Sequence, residues 1–210
     1  MGRRPRFTQQ EIEDAALAVL DGEGTVGVTV RAVAARLGTG AMTLYTYIDS
    51  HDDLPGLAVN AAIRDIDIPT TMGTDWRDDV RTIGRAVWSA TRRHPNTIPL
   101  ILARRYRSDR FLDIAEALLR SLARSGRSGH DLLVAFRAVS TLMTAFAQTE
   151  IGSALSTGDG ARSPDAVIKA FSSLDRERYG LLVEIAGAAE TSDPETEFRR
   201  SLDALLEGLA

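Results

Sequence analysis

Residues 29–54, TVRAVAARLGTGAMTLYTYIDSHDDL, decide the fold, because they read as two short helices joined by a glycine turn. Thr29 is a suitable N-cap, Val30, Val33, Ala34 and Leu37 follow at helical spacing, and Gly38 supplies the left-handed residue that ends the first helix. After Gly40, a second segment over 41–48 puts Leu44 and Ile48 on one face and leaves Met42, Thr43, Tyr45, Thr46 and Tyr47 for other contacts. The pair is a helix-turn-helix, and small polar and aromatic side chains on its second helix suit contact with DNA.

Upstream, an amphipathic helix is predicted over 9–23, preceded by the basic stretch MGRRPRFTQQ. The whole chain carries 25 basic and 29 acidic residues, a net charge of −4, so it is no generic polyanion binder. Residues 1–48 are balanced: Arg3, Arg4, Arg6, Arg31 and Arg36 stand against Glu11, Glu13, Asp14, Asp21 and Glu23. Arg3, Arg4 and Arg6 nevertheless precede the first helix, as an arm able to reach phosphates or a minor groove. The alternative is a solvated tail.

Downstream the pattern stays helical, with helices expected at 52–66, 75–93, 96–105, 108–125, 130–154, 176–189 and 194–208, and a short extra one at 165–171. The breaks are rich in Gly, Pro, Ser and Thr: IPTTMGTD (68–75), RHPN (93–96), RSGRSG (124–129) and STGDGARSP (156–164). No strand pattern competes, so the fold class is all-α. The predicted division is a DNA-binding head over 1–48, a connecting helix over 49–67 and a helical body over 68–210. The connector is either a lever between the two or a passive spacer. With 210 residues, 44% hydrophobic and free of cysteine, the chain has room for a sizeable core and no thiol chemistry. No apolar run approaches the roughly 18–20 residues of a membrane span and no signal-peptide core is present, so a cytoplasmic protein without a membrane partner is expected.

The N-terminal fifty residues resemble the DNA-binding domain of tetracycline-repressor-type (TetR family) transcriptional regulators. DAALAVLDGEG (14–24) is similar to the family's first helix, VTVRAVAARLG (28–38) to the next, and Thr43, Leu44 and Tyr45 form its TLY element. The passage over 76–95 and EFRRSLDALLEGL (197–209) are similar in layout to the ligand-binding domain of the same family. The resemblance implies that Thr29 and Arg31 meet a phosphate, that Thr39, Gly40, Ala41, Met42 and Thr43 stand at the mouth of the major groove, and that Tyr45 and Tyr47 run along the DNA backbone. Independently, hydroxyls donate to phosphate, while Ala, Met and a Thr methyl pack on a thymine methyl. Tyr45 and Tyr47 have the alternative of joining the core. Where lysines are usual in the link after the recognition helix, this sequence has Asp49 and His51. An imidazole can donate to phosphate, with charge assistance when protonated, so His51 either faces DNA or simply water.

In the body, Trp88, Ile98, Leu102, Arg105, Tyr106, Phe136, Val139, Ser140, Met143, Thr144 and Phe146 are the candidate ligand pocket, mixing apolar walls with polar groups as small-molecule sites do. Each apolar one has the alternative of plain core. Arg104, Arg105 and Arg107 are able to receive an anionic ligand or to form a solvated face. Leu133, Leu202, Leu205, Leu206 and Leu209 lie on apolar stripes that either pair across a two-fold axis as a dimer interface or close one protomer's core.

The three histidines, His51, His94 and His130, sit at predicted loops without a catalytic, phosphate-loop or metal spacing, so no catalytic residue, metal or cofactor is expected. The tetracycline-binding branch is implied to use a magnesium-linked histidine after His94, and 98–105 has none, which argues against tetracycline itself. The expectation is therefore a homodimeric regulator of double-stranded DNA. By resemblance it is a repressor released from a palindromic operator by an unidentified small-molecule effector. A ligand-dependent activator, a small helical enzyme and a helical interaction module are the alternatives.

Overall fold

Thr8 opens the first helix, α1 (Gln9–Gly27), with a reciprocal cap in which its hydroxyl accepts from the Glu11 backbone and the Glu11 carboxylate accepts from the Thr8 amide at 2.7 Å. The Thr8 amide foremost, and the Thr8 hydroxyl donating to the same carboxylate at 3.0 Å, hold the Glu11 carboxyl below its ordinary pKa. The regular part of α1 stops where the sequence places its end, because Gly24 turns the chain at φ 70°. The computed structural model describes residues 6–69, 73–103, 108–152 and 164–209, and the side chains of these apart from 148–152, 164, 165 and 167.

Helix α2 (Val30–Arg36) starts at Thr29, whose hydroxyl accepts from the Ala32 amide, and ends at Gly38 with φ 65°. The recognition helix, expected over 41–48, is shorter: α3 spans Ala41–Leu44. Beyond it the amides of Thr46 and Tyr47 bond three residues back, and the Thr46 hydroxyl bonds the Thr43 carbonyl at 2.7 Å, so the chain tightens into turns. Leu44 and Ile48 stay buried on one face despite this.

The connecting helix, expected over 52–66, begins as a 3-10 turn at His51–Asp53, capped by Ser50 and Asp53, and continues as α4 (Leu54–Ile63). Its residues belong to two cores. Leu54 and Ala58 complete the head with Ile12, Ala16, Leu20, Val33 and Leu44, while Val59, Ala62, Ile63 and Ile66 enter the body core.

The body follows as α5 (Trp76–Arg93), a 3-10 turn (Pro95–Thr97), α6 (Ile98–Ala103), α7 (Asp109–Ala123), α8 (Gly129–Gly152), α9 (Pro164–Ser172), α10 (Arg176–Ala189) and α11 (Pro194–Gly208). The short extra helix expected at 165–171 is α9; the expected ends of the helices over 96–105 and 130–154 fall outside the described residues. Every described element is helical, and the fold is all-α. At its centre the Trp88 and Phe198 rings stack 4.9 Å apart, with Phe146 edge-on to Phe198. Gly84 lets α5 and α11 meet closely, since a Cβ there would stand 3.1 Å from Leu202 Cδ2.

Two ties fix the ends of α7. Arg110 donates to the Ile66 carbonyl just past α4, and Arg124 bonds Asp79 at 2.5 Å and the Gly73 carbonyl at 2.6 Å. Asp79, 6% exposed, also accepts from the Gly73 amide.

Asp75 and Asp193 cap α5 and α11, accepting from the amides of Arg77 and Thr196. Hydrogen bonds keep both carboxyls below their ordinary pKa: the Arg77 backbone bond dominates at Asp75, the Thr196 side chain and then its backbone at Asp193. A depressed folded pKa gives stability that is complete above the unfolded value of about 3.9 and is lost as pH falls through the folded one. An Asp75→Ala, Asp193→Ala variant is therefore expected to melt lower than the parent at pH 7, the gap closing as melts are taken at pH values falling through the depressed carboxyl pKa. A gap that persists there would mean the caps act through something other than their charge.

Candidate DNA-binding face and ligand cavity

The head exposes what the sequence reading assigned to DNA. Met42 (79% exposed) and Tyr45 (47%) project from the recognition segment, Ala41 and Thr43 are half-buried beside them, and Thr39 and Gly40 form the turn before it. Thr29 and Arg31 at the start of α2 are exposed, and the Thr29 hydroxyl, which accepts as a cap, keeps its proton for an outside acceptor.

Tyr47 has an anchoring partner that the sequence did not reveal. Its hydroxyl accepts from the Arg6 and Phe7 amides at 2.7 and 3.1 Å, and its ring meets Phe7 edge-on. Arg6 also donates to the Gly38 carbonyl and lies over the Phe7 ring. Arg6 thus lies beside the helix-turn-helix; Arg3 and Arg4 fall outside the described residues. His51 is exposed and lies 3.2 Å from the Asp52 carboxylate, with Asp49 and Asp53 adjacent, a setting that opposes phosphate approach.

Behind α4 lies a cavity of about 570 Å³, within the about 300–1,000 Å³ typical of small-molecule sites. Ile63 and Ile66 of the connector, Val87 and Thr91 of α5, Ile101 and Leu102 of α6, and Phe111, Ile114, Ala115 and Leu118 of α7 form most of its wall. Helix α8 adds Leu133, Phe136, Arg137, Ser140, Thr141, Met143 and Thr144. Of the predicted pocket, the structure brings together Leu102, Phe136, Ser140, Met143 and Thr144. Trp88, Ile98, Val139 and Phe146 go elsewhere: they fill or flank the body core, Trp88 and Phe146 against Phe198. Arg105 and Tyr106, with Arg104 and Arg107, lie outside the described residues. The α7 wall adds residues outside the predicted pocket, and their spacing at 111, 114, 115 and 118 marks one helical face.

The predicted interface leucines are also redistributed. Leu202 and Leu206 are 2% and 0% exposed within a single protomer, so they close its own core, and Leu205 and Leu209 flank that core. Leu133 is at the cavity. Leu133 is itself 38% exposed, and α8 and α11 also expose Val134 and Ala145, and Ala204 and Gly208, while α10 exposes Leu181, Leu182 and Ile185.

Head and body are joined by more than the chain. Arg64 reaches Glu13 and Asp14 at 3.0 and 2.8 Å, and those carboxylates outweigh the effect of its partial burial, raising its pKa. At the start of the segment that ends in α6, His94 Nδ1 lies 2.9 Å from Asp21, and Asn96 donates to the Leu20 carbonyl at 2.8 Å. Among the described residues no cluster of three or more His, Asp or Glu suits a metal ion, and no helix is long and apolar enough to cross a membrane.

A helix-turn-helix head carried on a cavity-bearing helical body defines the class of protein. Residues 68–210 match the tetracyclin repressor-like C-terminal domain, and the chain belongs to the tetracycline-repressor-like family of transcriptional regulators. An HTH-type transcriptional regulator of Saccharopolyspora erythraea is 31% identical over 137 residues, 65% of this chain and 58% of that one; the chain spans little more than half of that relative. Tetracycline repressor protein class D of Escherichia coli is 29% identical over 208 residues, covering 97% and 89%. In fold, a TetR transcriptional regulator of Streptomyces coelicolor superposes with a TM-score of 0.79 at 24% identity, covering 97% of each chain.

Proposed function

We propose that this protein is a homodimeric transcriptional repressor that grips a palindromic DNA operator and releases it when a small molecule fills the cavity. One observation carries the reading: α4 is built into both ends of the device. Its Leu54 and Ala58 are part of the head core, while Ile63 and, just past its end, Ile66 line the cavity. A ligand that binds better when Ile63 and Ile66 shift will move the helix on which the head rests. The segment 94–103 offers a second link, with Asn96 on α1 and Ile101 and Leu102 on the cavity.

In this reading the head (1–48) binds DNA in the cytoplasm, the connector (49–67) links it to the body (68–210), which senses and dimerises, and the protein performs no catalysis. Met42 and Thr43 read bases; Thr29, Arg31 and Tyr45 hold the backbone. Two copies pair through the small-residue faces of α8 and α11, with the α10 leucines covered by the partner. The match to a tetracycline repressor over 97% of this chain and 89% of that one supports the repressor role.

Mobility-shift titration on the DNA upstream of the protein's own gene tests it. Tyr45→Ala is expected to weaken binding about tenfold per protomer without altering sequence preference. Thr43→Ala is expected to relax preference at one base. Deleting residues 1–4, which leaves the anchored Arg6, should make the slope of log affinity against log salt shallower by about two to four for the dimer. Wild-type behaviour of all three variants would remove the DNA-binding assignment.

A further inference from the structure

We propose that the cavity takes an organic acid: an apolar body with at least one N–H or O–H donor and an anionic group seated at Arg137. The inference rests on the reading of this cavity as the effector site and specifies its ligand. Among the described residues, Arg137 is the single charged member of a lining otherwise built from apolar and hydroxyl side chains, with no Asp or Glu. It makes no ion pair or hydrogen bond to any described residue, whereas Arg64, Arg81, Arg85 and Arg124 each hold a carboxylate. On α8 it shares a face with Ser140 and Thr141, three and four residues on. An exposed guanidinium with no partner among the described residues, at the rim of an apolar wall, is a positive charge that an anion meets through charge-assisted hydrogen bonds.

The hydroxyls define the rest of the ligand. Thr91 donates to the carbonyls of Val87 and Trp88, Ser140 to that of Phe136, and Thr144 to that of Ser140. Their protons are committed to their own helices, so they offer a ligand only acceptor lone pairs, and a ligand satisfies them by donating. Thr141 makes no such bond among the described residues, and its hydroxyl stands one turn from Arg137 as a second donor for the acid group. A neutral hydrocarbon leaves Arg137 unmatched, and an amine meets a like charge.

Fluorescence titration of the full chain with 8-anilino-1-naphthalenesulfonate, which carries an N–H and an anion, and with its uncharged parent N-phenyl-1-naphthylamine tests this. Arg137→Gln should raise the Kd of the sulfonate about tenfold and leave that of the parent within about twofold, and Arg137→Lys should recover most of the loss. Ala115→Trp, or Thr141→Trp if the first does not fold, should abolish binding of both probes and so locate them in the cavity. An Arg137→Gln variant that binds the sulfonate normally, or loses both probes equally, overturns the anion assignment while leaving the effector site standing. Probe binding that is absent, or indifferent to the tryptophans in folded protein, overturns both.

Discussion

Replacing Leu202 and Leu206 together by glutamate is expected to unfold the body, with loss of the helical circular-dichroism signal and of the cooperative melt. Both side chains are buried within one protomer, packed with Trp88, Phe198 and Met143 in the body core. Losing each leucine costs about 3 kcal/mol as a cavity, and burying a carboxylate in its place costs several more, which together reach the whole stability of an ordinary domain. Ala204→Glu with Ala138→Glu is the contrasting pair. Ala204 is exposed and Ala138 half-buried, so that variant should keep its helical signal and sediment as a monomer. If instead the leucine variant gives the folded monomer and the alanine variant stays dimeric, the interface lies on the leucine stripe after all.

The second large effect is at the α5–α7 clasp. Asp79→Ala strips the acceptor from Arg124 and from the Gly73 amide at once, in a place where Asp79 has almost no access to water. Breaking such a pair costs about 3 kcal/mol. For a chain of this size that is a drop of about 6–12 °C in melting temperature. Asp79→Asn, which keeps an acceptor for the amide, should lose less. A variant melting within a degree of the parent would show that the 73–75 loop is held by its other contacts.

Much of the architecture could be read from residue order because helical periodicity and capping are local. Thr29, the run Val30, Val33, Ala34 and Leu37, and Gly38 determine α2 and its turn within ten residues, and the structure follows them. The same periodicity says that a residue points inward without saying what stands opposite. For that reason Trp88, Val139 and Phe146 read equally well as pocket and as core, and Leu202 and Leu206 as interface and as core. The cavity wall depends on how α4, α6, α7 and α8 splay, a property of packed pairs far apart in sequence. The Asp79–Arg124 clasp, 45 residues apart, and the hold of Tyr47 on Arg6, 41 apart, belong to the same category. No proline or glycine follows Leu44 within the recognition segment to mark the end of α3, because the tightening comes from i−3 bonds and the Thr46 hydroxyl.

The double membership of α4 also limits how this chain can be recombined. A head cut at residue 48 leaves behind Leu54 and Ala58, and with them part of the seal over Leu20 and Leu44. A body that starts there keeps those side chains with nothing to cover them. Chimeras that graft a foreign head with its own connector therefore have to carry the seam past Ile66, and the grafted connector must still present a backbone carbonyl to Arg110 and side chains to the cavity. Under the proposed function, a graft that exchanges the operator specificity of this head therefore carries part of the effector site with it.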